Sequence, residues 1–319
     1  MTAILPTAAA RRWSRERSYR HNDFPVAELA AVKHDTVSVC VPAKECAATV
    51  ATVVTELMLL QSAGVVDEVI VVDADSVDGT GVLAAEHGAR VVSESKLLPE
   101  FGPVMGKGDA MWRALSVAGG DIVAYVDGDT VDFRGRLCAG LLGPLLIRDD
   151  VAFVKGFFRR PFAHAEGVAP EGGGRVTELT ARPLLTRFWP ELSAFRQPLA
   201  GETAARRWLL DQLPVSTGYA VETAMLIDAY RAVGLDGLAQ VDLDVRQNRH
   251  QPLGELVPMA YAVLRAVTDR LESEGRLERS AVPPLLSGPV GAEQSHSVRI
   301  QERPPMASVR RARGDRTPV

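Results

Sequence analysis

Two carboxylates stand one residue apart directly after an apolar run that has the length of a buried strand. Asp127 and Asp129 flank Gly128 and follow the run at residues 123–126. Residues i and i+2 of an extended segment share a face, so a turn after the strand can aim both carboxylates at one cation. Mg²⁺ and Mn²⁺ prefer carboxylate oxygens, with water and phosphate oxygens as further ligands. The motif predicts a cation that holds a nucleotide diphosphate, with an ordinary Asp-Gly turn as the alternative.

Two further clusters suit a nucleotide. Asp73, Asp75 and Ser76 end a second apolar run, where they can hydrogen-bond a base or ribose, or simply cap the next helix. Lys107 lies between two glycines at the start of a predicted helix. A helix N-terminus favours anions, so this lysine can approach a phosphate, and a flexible turn with a solvated lysine is the alternative. The G-x-x-x-x-G-K-[ST] spacing of a P-loop is absent.

A glycine run precedes an arginine and a threonine at another predicted helix start. Gly172, Gly173 and Gly174 are followed by Arg175 and Thr177. Backbone amides of such a loop, a guanidinium and a hydroxyl suit a phosphate or a carboxylate. The segment predicts an anion site, with a capped helix after a loop as the alternative.

Other kinds of catalytic site have less support. The six histidines contain no pair with metal-binding spacing, and His250 alone follows a predicted strand in polar company. The chain has no G-x-S-x-G elbow, and Cys46 has no sequence partner that would mark a nucleophilic thiol. We therefore expect chemistry without a protein nucleophile.

The elements that must position these groups alternate along the chain. Four apolar runs predict strands, and helical periodicity lies between them. The predicted strands are residues 37–41, 68–72, 89–92 and 121–126, and the predicted helices are 25–33, 47–60, 78–87 and 108–117. Nearly continuous apolar strands indicate a parallel α/β sheet with helices on both faces. Ligands of such sheets bind outside the carboxyl ends of the strands, where the first two polar clusters lie.

The second half of the chain is more helical. It contains predicted strands at residues 151–154 and 239–245 and predicted helices at 176–188 (interrupted at Pro183), 201–213, 221–233 and 253–271. We divide the chain into an arm at 1–35, a nucleotide-binding half at 36–150, an anion-binding helical part at 151–280 and a tail at 281–319. Prolines and a basic end without apolar periodicity predict that this tail is disordered.

Composition narrows the class of protein. With 319 residues, 46% hydrophobic and 24% charged, the chain is globular, and its net charge of −4 gives no general attraction to nucleic acid. Three cysteines cannot all pair, which favours reduced thiols in a reducing compartment. No apolar run is long enough to span a membrane, and the N-terminal arginines follow the apolar stretch rather than precede it, unlike a secretory signal. We expect a cytoplasmic protein.

The order of these motifs resembles the GT-A glycosyltransferases, and more narrowly the actinobacterial glucosyl-3-phosphoglycerate synthases with the related mannosyl enzymes. The resembling segments are residues 39–43, 73–76, 106–108, 127–129, 154–161, 174–179, 181–185, 197–202, 218–222 and 245–246. The resemblance implies a GT-A fold with a Rossmann-like, mostly parallel open sheet. It also implies retaining transfer of a hexose, glucose first, from a UDP- or GDP-sugar to 3-phosphoglycerate or another small anionic acceptor.

The resemblance further implies roles for individual residues. From charge, hydropathy and the amphipathic helix at 253–271, we expect a homodimer and neither nucleic acid nor membrane as a partner. The implied catalytic residues are Asp129, Lys107 and Glu222. The implied donor-binding residues are Pro42, Ala43, Lys44, Glu45, Asp73, Ser76, Lys107, Asp127, Gly128, Asp129 and Glu222. The implied acceptor-binding residues are Gly174, Arg175, Val176, Thr177 and Tyr219. Mg²⁺ or Mn²⁺ is expected at Asp129 and Asp127 with Asn248 and His250.

Two positions depart from the family pattern. Cys46 stands where the family has a glutamate, and Asn248 stands where it has a histidine metal ligand. An asparagine carbonyl is a weaker ligand for a hard cation, and His250 can substitute if the loop turns. The departures leave open a related enzyme with another small acceptor, and a nucleotide-sugar-binding protein with little turnover. A nucleotidyltransferase is a third alternative, which the lack of a glycine-rich loop near the first strand disfavours.

Overall fold

An eight-stranded sheet forms the centre of the fold. The computed structural model describes residues 7–159, 162–164, 167–169, 174–246, 252–278, 285–286 and 296–315. The strands are β1 (Ser18–Arg20), β2 (Val37–Ala43), β3 (Glu68–Asp73), β4 (Arg90–Ser93), β5 (Ile122–Tyr125), β6 (Phe153–Arg159), β7 (Phe162–His164), β8 (Gly167–Ala169), β9 (Thr203–Arg206), β10 (Val215–Ser216), β11 (Leu238–Val245), β12 (Leu285–Leu286), β13 (His296–Ser297) and β14 (Glu302–Arg303). Six of these fourteen strands form three separate two-stranded sheets.

Eleven α-helices accompany the strands in the described ranges. They are α1 (Ala8–Glu16), α2 (Val26–Val32), α3 (Val50–Ser62), α4 (Thr80–Glu86), α5 (Lys107–Val117), α6 (Gly135–Ile147), α7 (Arg182–Phe188), α8 (Arg207–Gln212), α9 (Val221–Val233), α10 (Leu253–Ser273) and α11 (Met306–Arg313). None of these helices is long and apolar enough to cross a membrane.

The main sheet is mostly parallel. Its strand order is β1-β11-β6-β9-β5-β2-β3-β4. All neighbours are parallel except at β9, which runs antiparallel to both β5 and β6. The carboxyl ends of the other seven strands therefore meet at one edge. The prediction of a mostly parallel α/β sheet is confirmed.

The core lies on both faces of the sheet, as the nearly continuous apolar strands predict. Val39 and Val41 of β2 face a cluster that includes α3 and α6, whereas Cys40 faces a cluster that includes α5, α8 and α9. Successive side chains of a strand point to opposite faces, so both layers must exclude water for such a strand to form. The two helical layers hold the carboxyl edge rigidly in place.

Two predicted helices have different structures. Residues 203–206 form β9 instead of the start of a helix, because they fill the gap between β5 and β6 and complete the hydrogen bonds of both strands. Pro183 does not interrupt its helix. It lies in the first turn of α7, directly after a π-helical turn at Thr177–Ala181, where the missing amide hydrogen costs little.

The N-terminal arm is part of the sheet rather than an appendage. Strand β1 pairs in parallel with β11 at its edge. Trp13 of α1 is buried, and its indole donates a hydrogen bond to the Leu238 carbonyl at 2.8 Å. Residues 1–6 lie outside the described ranges.

The prediction of a disordered tail is wrong for the stretch at residues 298–315. Strand β14 pairs with β10, and α11 buries Met306 and Val309 against α5 and α8. Arg310 is also buried and donates to Asp211 at 2.5 Å. A few buried apolar side chains and buried ion pairs order this segment. Neither composition nor hydrophobic periodicity reveals such isolated contacts. Residues 285–286 and 296–297 of the predicted tail form the paired strands β12 and β13. Residues 281–284, 287–295 and 316–319 lie outside the described ranges.

Candidate active site

Two loops that follow β2 and β3 are joined into one rim at the carboxyl edge. Four bonds connect them, from Glu45 N to Ser76 Oγ (3.0 Å), Cys46 N to Thr80 Oγ1 (2.7 Å), Ala47 N to Asp78 Oδ2 (2.9 Å) and Val77 N to Glu45 Oε1 (3.0 Å). Glu45 and Asp75 adopt φ values of 52° and 55°, a left-handed conformation that non-glycine residues adopt at a cost. These bonds compensate that cost, so the rim is preorganised.

Several residues predicted to bind the donor lie in or beside this rim. Asp73 accepts a bond from the amide of Ser76 at 3.3 Å, and Ala43 lies under Gly128. Pro42 is half-buried, whereas Lys44 is exposed. The structure therefore brings the two predicted clusters after β2 and β3 together with the Asp127-Gly128-Asp129 turn.

A cluster of charged side chains lies next to the rim. The Lys107 ammonium, at the start of α5, is 2.6 Å from Asp127 Oδ1 and 3.4 Å from Glu222 Oε1, at the start of α9. Arg246, directly after β11, lies 3.4 Å from both Asp127 Oδ2 and Asp129 Oδ1 and also forms an ion pair with Glu202. The predicted catalytic residues Lys107, Asp129 and Glu222 thus belong to one network.

Electrostatics favour the charged forms of the two cations in this network, whereas burial raises the pKa of Glu202. Burial lowers the pKa of Lys107, but the carboxylates of Asp127 and Glu222 outweigh burial, so the net shift of that pKa is upward and the ammonium stays protonated at neutral pH. The balance at Arg246 is the same, because Glu202 and Asp127 outweigh its burial and raise its pKa. A partly buried ammonium beside the predicted diphosphate position is suited to stabilising a leaving anion.

Three residues of this network were not assigned roles by the sequence: Gly201, Glu202 and Arg246. A Cβ at Gly201 would collide with the Lys107 ammonium and lie 2.7 Å from Asp127 Oδ2, so a side chain there would displace this ion pair from its present position. Arg246 is the first residue after β11 at the carboxyl edge, a position that the general rule for α/β sheets marks as functional. Glu202 and Gly201 carried no comparable signal, because β9 was expected to be part of a helix.

The residues predicted to bind the acceptor lie in two separate parts of the structure. Tyr219 is half-exposed in the turn before α9, and Gly218 of that turn donates to the Met105 carbonyl, two residues before Lys107. Gly174, Arg175, Val176 and Thr177 form a separate helical start, which packs through Val176 on α10. Thr177 is buried, and Gly174 has a φ of 80°. Gly172 and Gly173 lie outside the described residues.

The donor groups near Asp129 fit a hard divalent cation. Four carboxylates (Asp127, Asp129, Glu202, Glu222) lie in the network with the cationic side chains of Lys107 and Arg246. Asp129 is the accessible carboxylate, with its side chain 75% exposed, whereas Asp127 faces Lys107 and Arg246. The described residues contain no group of three or more metal-ligating side chains, so further ligands must come from elsewhere, such as diphosphate or water. Asn248 and His250 lie outside the described residues.

A buried lysine lies beneath the network. Lys155 of β6 donates to the Ala200 carbonyl at 2.8 Å and to Thr203 Oγ1 at 3.3 Å. Burial lowers its pKa to about 8, against the opposing effect of Glu222 and with a further decrease from Lys107. Two hydrogen bonds to neutral oxygens compensate the buried charge only in part.

Lys155 is expected to make stability depend on pH. In the unfolded chain its pKa returns to about 10.5, so between about pH 8 and pH 10 the unfolded state binds more protons and the free energy of unfolding rises with pH. The buried charge costs on the order of 3 kcal/mol below that window. The Lys155→Met variant should lack this rise. Urea unfolding of both chains at about pH 7.5 and pH 9.5 measures the change in the free energy of unfolding with pH. The same change in the unmodified chain and in Lys155→Met would contradict the assignment.

Comparison with known proteins shows to which class of protein this arrangement of residues belongs. The glycosyl transferase family 2 profile matches residues 38–164, which hold the rim and the Asp127-Gly128-Asp129 turn. The crystal structure of mannosyl-3-phosphoglycerate synthase from Rubrobacter xylanophilus superposes with a TM-score of 0.86 at 47% identity, covering 96% of this chain and 99% of that one. The fold and the site therefore define a glycosyltransferase of the GT-A class.

Relatives of known activity narrow the class to a family. Glucosyl-3-phosphoglycerate synthase of Mycolicibacterium smegmatis is 42% identical over 301 residues, which is 94% of this chain and 98% of the relative. The Mycobacterium tuberculosis glucosyl-3-phosphoglycerate synthase, crystallised with Mn²⁺, UDP-glucose and phosphoglyceric acid, has a TM-score of 0.78 at 41% identity and covers 90% and 96% of the two chains. This chain belongs to the glucosyl-3-phosphoglycerate synthase family.

Proposed function

We propose that this enzyme transfers glucose from UDP-glucose to the free hydroxyl of 3-phosphoglycerate, with retention at the anomeric carbon. The observation that carries the proposal is the Lys107 ammonium held between Asp127 and Glu222, next to the exposed carboxylate of Asp129. The relative from Mycobacterium tuberculosis supports the choice of ligands, because it was crystallised with this donor and with phosphoglyceric acid.

The proposed chemistry assigns a task to each residue of the network. The bond between the anomeric carbon and the diphosphate oxygen breaks, and negative charge develops on that oxygen. Lys107 lies where it stabilises this charge, in a partly buried setting that strengthens the interaction. The acceptor hydroxyl attacks from the face of the leaving group, and its proton passes to the departing diphosphate. Glu222 is proposed to orient the hexose, while the rim that contains Glu45 and Ser76 holds the nucleoside.

We assign the divalent cation to Asp129. A Mg²⁺ or Mn²⁺ ion bound there supplies charge neutralisation for the leaving diphosphate. Asp127 is less available as a direct ligand, because Lys107 and Arg246 already face its two oxygens. Asn248 and His250 remain predicted ligands. A metal titration of Asn248→His and His250→Ala against the unmodified chain tests them, and no change in either would remove residues 247–251 from the metal site.

A substrate matrix tests the proposal. UDP- and GDP-linked glucose and mannose are each combined with 3-phosphoglycerate or glycerate in the presence of Mn²⁺, and products are identified by mass spectrometry. We expect product from UDP-glucose and 3-phosphoglycerate. Mannosyl transfer is the second candidate, favoured by the likeness to the Rubrobacter xylanophilus mannosyl-3-phosphoglycerate synthase. Nucleotide-sugar binding without any product would overturn the proposal in favour of a binding protein.

The acceptor site is expected to depend on Arg175. Its guanidinium, together with the Thr177 hydroxyl, is proposed to hold the anionic group of 3-phosphoglycerate. A charged hydrogen bond contributes about 1.5–3 kcal/mol, so Arg175→Ala should raise the acceptor KM roughly ten- to a hundredfold. The donor KM should change far less. Equal changes in both constants, measured by varying one substrate at saturating levels of the other, would show that the acceptor site is misplaced.

We also propose a cytoplasmic homodimer. Cys40, Cys46 and Cys138 are unpaired and buried, and burial raises the pKa of Cys40 and Cys138 to about 12, which keeps them as inert thiols. One side of α10 exposes Leu253 and Val257, 70% and 40% accessible, which suits contact with a second copy. Light scattering of the full chain tests the dimer, and a monomer at micromolar concentration would contradict it.

A further inference from the structure

A buried arginine near the C-terminus connects to the helix that carries Lys107. Arg303 of β14 forms a two-bond ion pair with Asp109 of α5, from Nε to Oδ1 at 2.9 Å and from Nη2 to Oδ2 at 2.6 Å. Both side chains are almost completely buried. Asp109 lies two residues after Lys107, in the same first turn of α5. The C-terminal segment therefore contacts the same helical turn that carries the ammonium facing Asp127.

The same guanidinium holds the loop that leads into Lys107. Arg303 donates to the carbonyls of Phe101 at 2.7 Å and Pro103 at 3.3 Å, and Asp109 accepts from the Met105 amide at 3.0 Å. Arg113, on the next turn of α5, donates to the carbonyls of Leu97, Leu98 and Gly102. Residues 97–106 have little regular structure, and two buried guanidinium groups thus satisfy five of their carbonyl oxygens.

The loop would not hold this path by local preference. Leu98, Gly102 and Gly106 have positive φ values of 49°, 81° and 75°. A left-handed leucine is costly, so the surrounding contacts must determine the conformation. The side chain of Arg303 also lies over the Trp112 ring, 5.6 Å from its centroid, and Trp112 donates to the Pro304 carbonyl at 2.8 Å. The guanidinium is therefore fixed on several sides.

The C-terminal strand also borders the second carboxylate partner of Lys107. Gln301 and Thr217 exchange two bonds of 2.9 Å, and β14 pairs with β10 just before the turn that leads to Glu222. The elements that carry Lys107 and Glu222 are thus attached to one short segment. Because a buried ion pair adds little net stability compared with an apolar replacement, stability alone is a weak reason for Arg303.

We propose that Arg303 is a positioning residue for the transfer reaction, which acts through Asp109 and the loop at residues 97–106 to place the Lys107 ammonium. The inference rests on the proposed function, since Lys107 is assigned there to the leaving diphosphate. A displacement of about 1 Å at a reacting group can cost about a hundredfold in rate. Loss of Arg303 should therefore appear in turnover and donor binding, while the acceptor site at Arg175 stays intact.

The experiment compares Arg303→Met with Arg310→Met in the full chain. Arg310 is the matched control, because it belongs to the same segment and is also buried, but its hydrogen bonds go to Asp211 of α8 and to the Leu115 carbonyl in the last turns of α5. For each variant we measure the melting temperature, UDP affinity by calorimetry with Mn²⁺, kcat and both KM values. Arg303→Lys is the conservative variant, which keeps the charge but not the two-bond geometry.

We expect Arg303→Met to lower kcat ten- to a hundredfold and to weaken UDP binding, with the acceptor KM changed less than about twofold. Arg310→Met should lower the melting temperature comparably and leave kcat within about twofold, and Arg303→Lys should recover part of the loss. Equal kcat losses in the two methionine variants, or equal changes in both KM values, would reduce Arg303 to a structural role. If Arg303→Met does not fold, the same comparison of kcat and UDP affinity with the acceptor KM is made on Arg303→Lys. Absence of turnover in the unmodified chain would refute the proposed function, while the UDP affinities would still test Arg303.

Discussion

Replacing Asp129 with alanine is expected to reduce turnover by roughly 10²- to 10³-fold, because the leaving diphosphate would lose the cation that balances its charge. The side chain of Asp129 is 75% exposed, and its ion pair with Arg246 is long, at 3.4 Å. Its removal should therefore leave the melting temperature almost unchanged. Steady-state rates across a Mn²⁺ titration, with thermal unfolding of the same samples, separate the two effects.

Asp132→Ala is the matched control for this variant. Asp132 is an exposed aspartate three residues further along the same loop, so its replacement removes the same charge from the same region. We expect its rate and metal dependence to match the unmodified chain. Full activity of Asp129→Ala, or undiminished activity of the unmodified chain in excess chelator, would refute the assignment of a cation to Asp129.

Replacing Lys107 with methionine is expected to lower kcat by a similar factor, roughly 10²- to 10³-fold. Methionine keeps much of the length of the side chain but removes the ammonium that lies 2.6 Å from Asp127. The loss should be greatest in kcat, because charge on the diphosphate is larger in the transition state than in the bound donor. The raised pKa of Lys107 also predicts that it causes no loss of activity between about pH 6 and pH 9.

Lys33→Met provides the control for Lys107→Met. Lys33 forms an ion pair of 2.7 Å with Asp67 at the opposite, amino end of the sheet, so the substitution removes an equal charge and a comparable contact. We expect normal kinetics from it. If Lys107→Met retained more than about a tenth of the normal kcat, the ammonium would be an ordinary partner of Asp127 and Glu222, and leaving-group stabilisation would have to come from the cation alone.

Local sequence patterns were sufficient to predict those strands whose own residues determine their structure. The apolar runs that became β2, β3 and β5 are strands because β-branched residues on both faces can only be buried in a covered sheet. Lys107 was identified by its position between two glycines at a predicted helix start. The Asp127-Gly128-Asp129 turn was identified for a reason related to the strands. Parallel strands direct the residues that follow them to one edge, so their positions in the chain already place them together.

Helix α6 shows where the pattern contains too little information. Gly135–Ile147 is buried on nearly all sides and is apolar all round, so it lacks the polar face on which helical periodicity depends. Gly140 and Gly143 leave space for His21 and Phe24, which pack against them from a distant part of the chain. That packing decides the helix, and no local window contains both partners.

By itself, the sequence determined the parallel half of the sheet, the rim, the carboxylate turn and the lysine that faces it. Only the tertiary structure decided the roles of Gly201, Arg246 and Arg303. Gly201 matters because a Cβ would occupy the space of the Lys107 ammonium, and Arg303 matters because its partner Asp109 lies 194 positions away. Close approach and burial of charge are properties of segments that meet in space, so Gly201 and Arg303 carry no distinctive signal in their local sequence, and Arg246 is marked only by its position after β11.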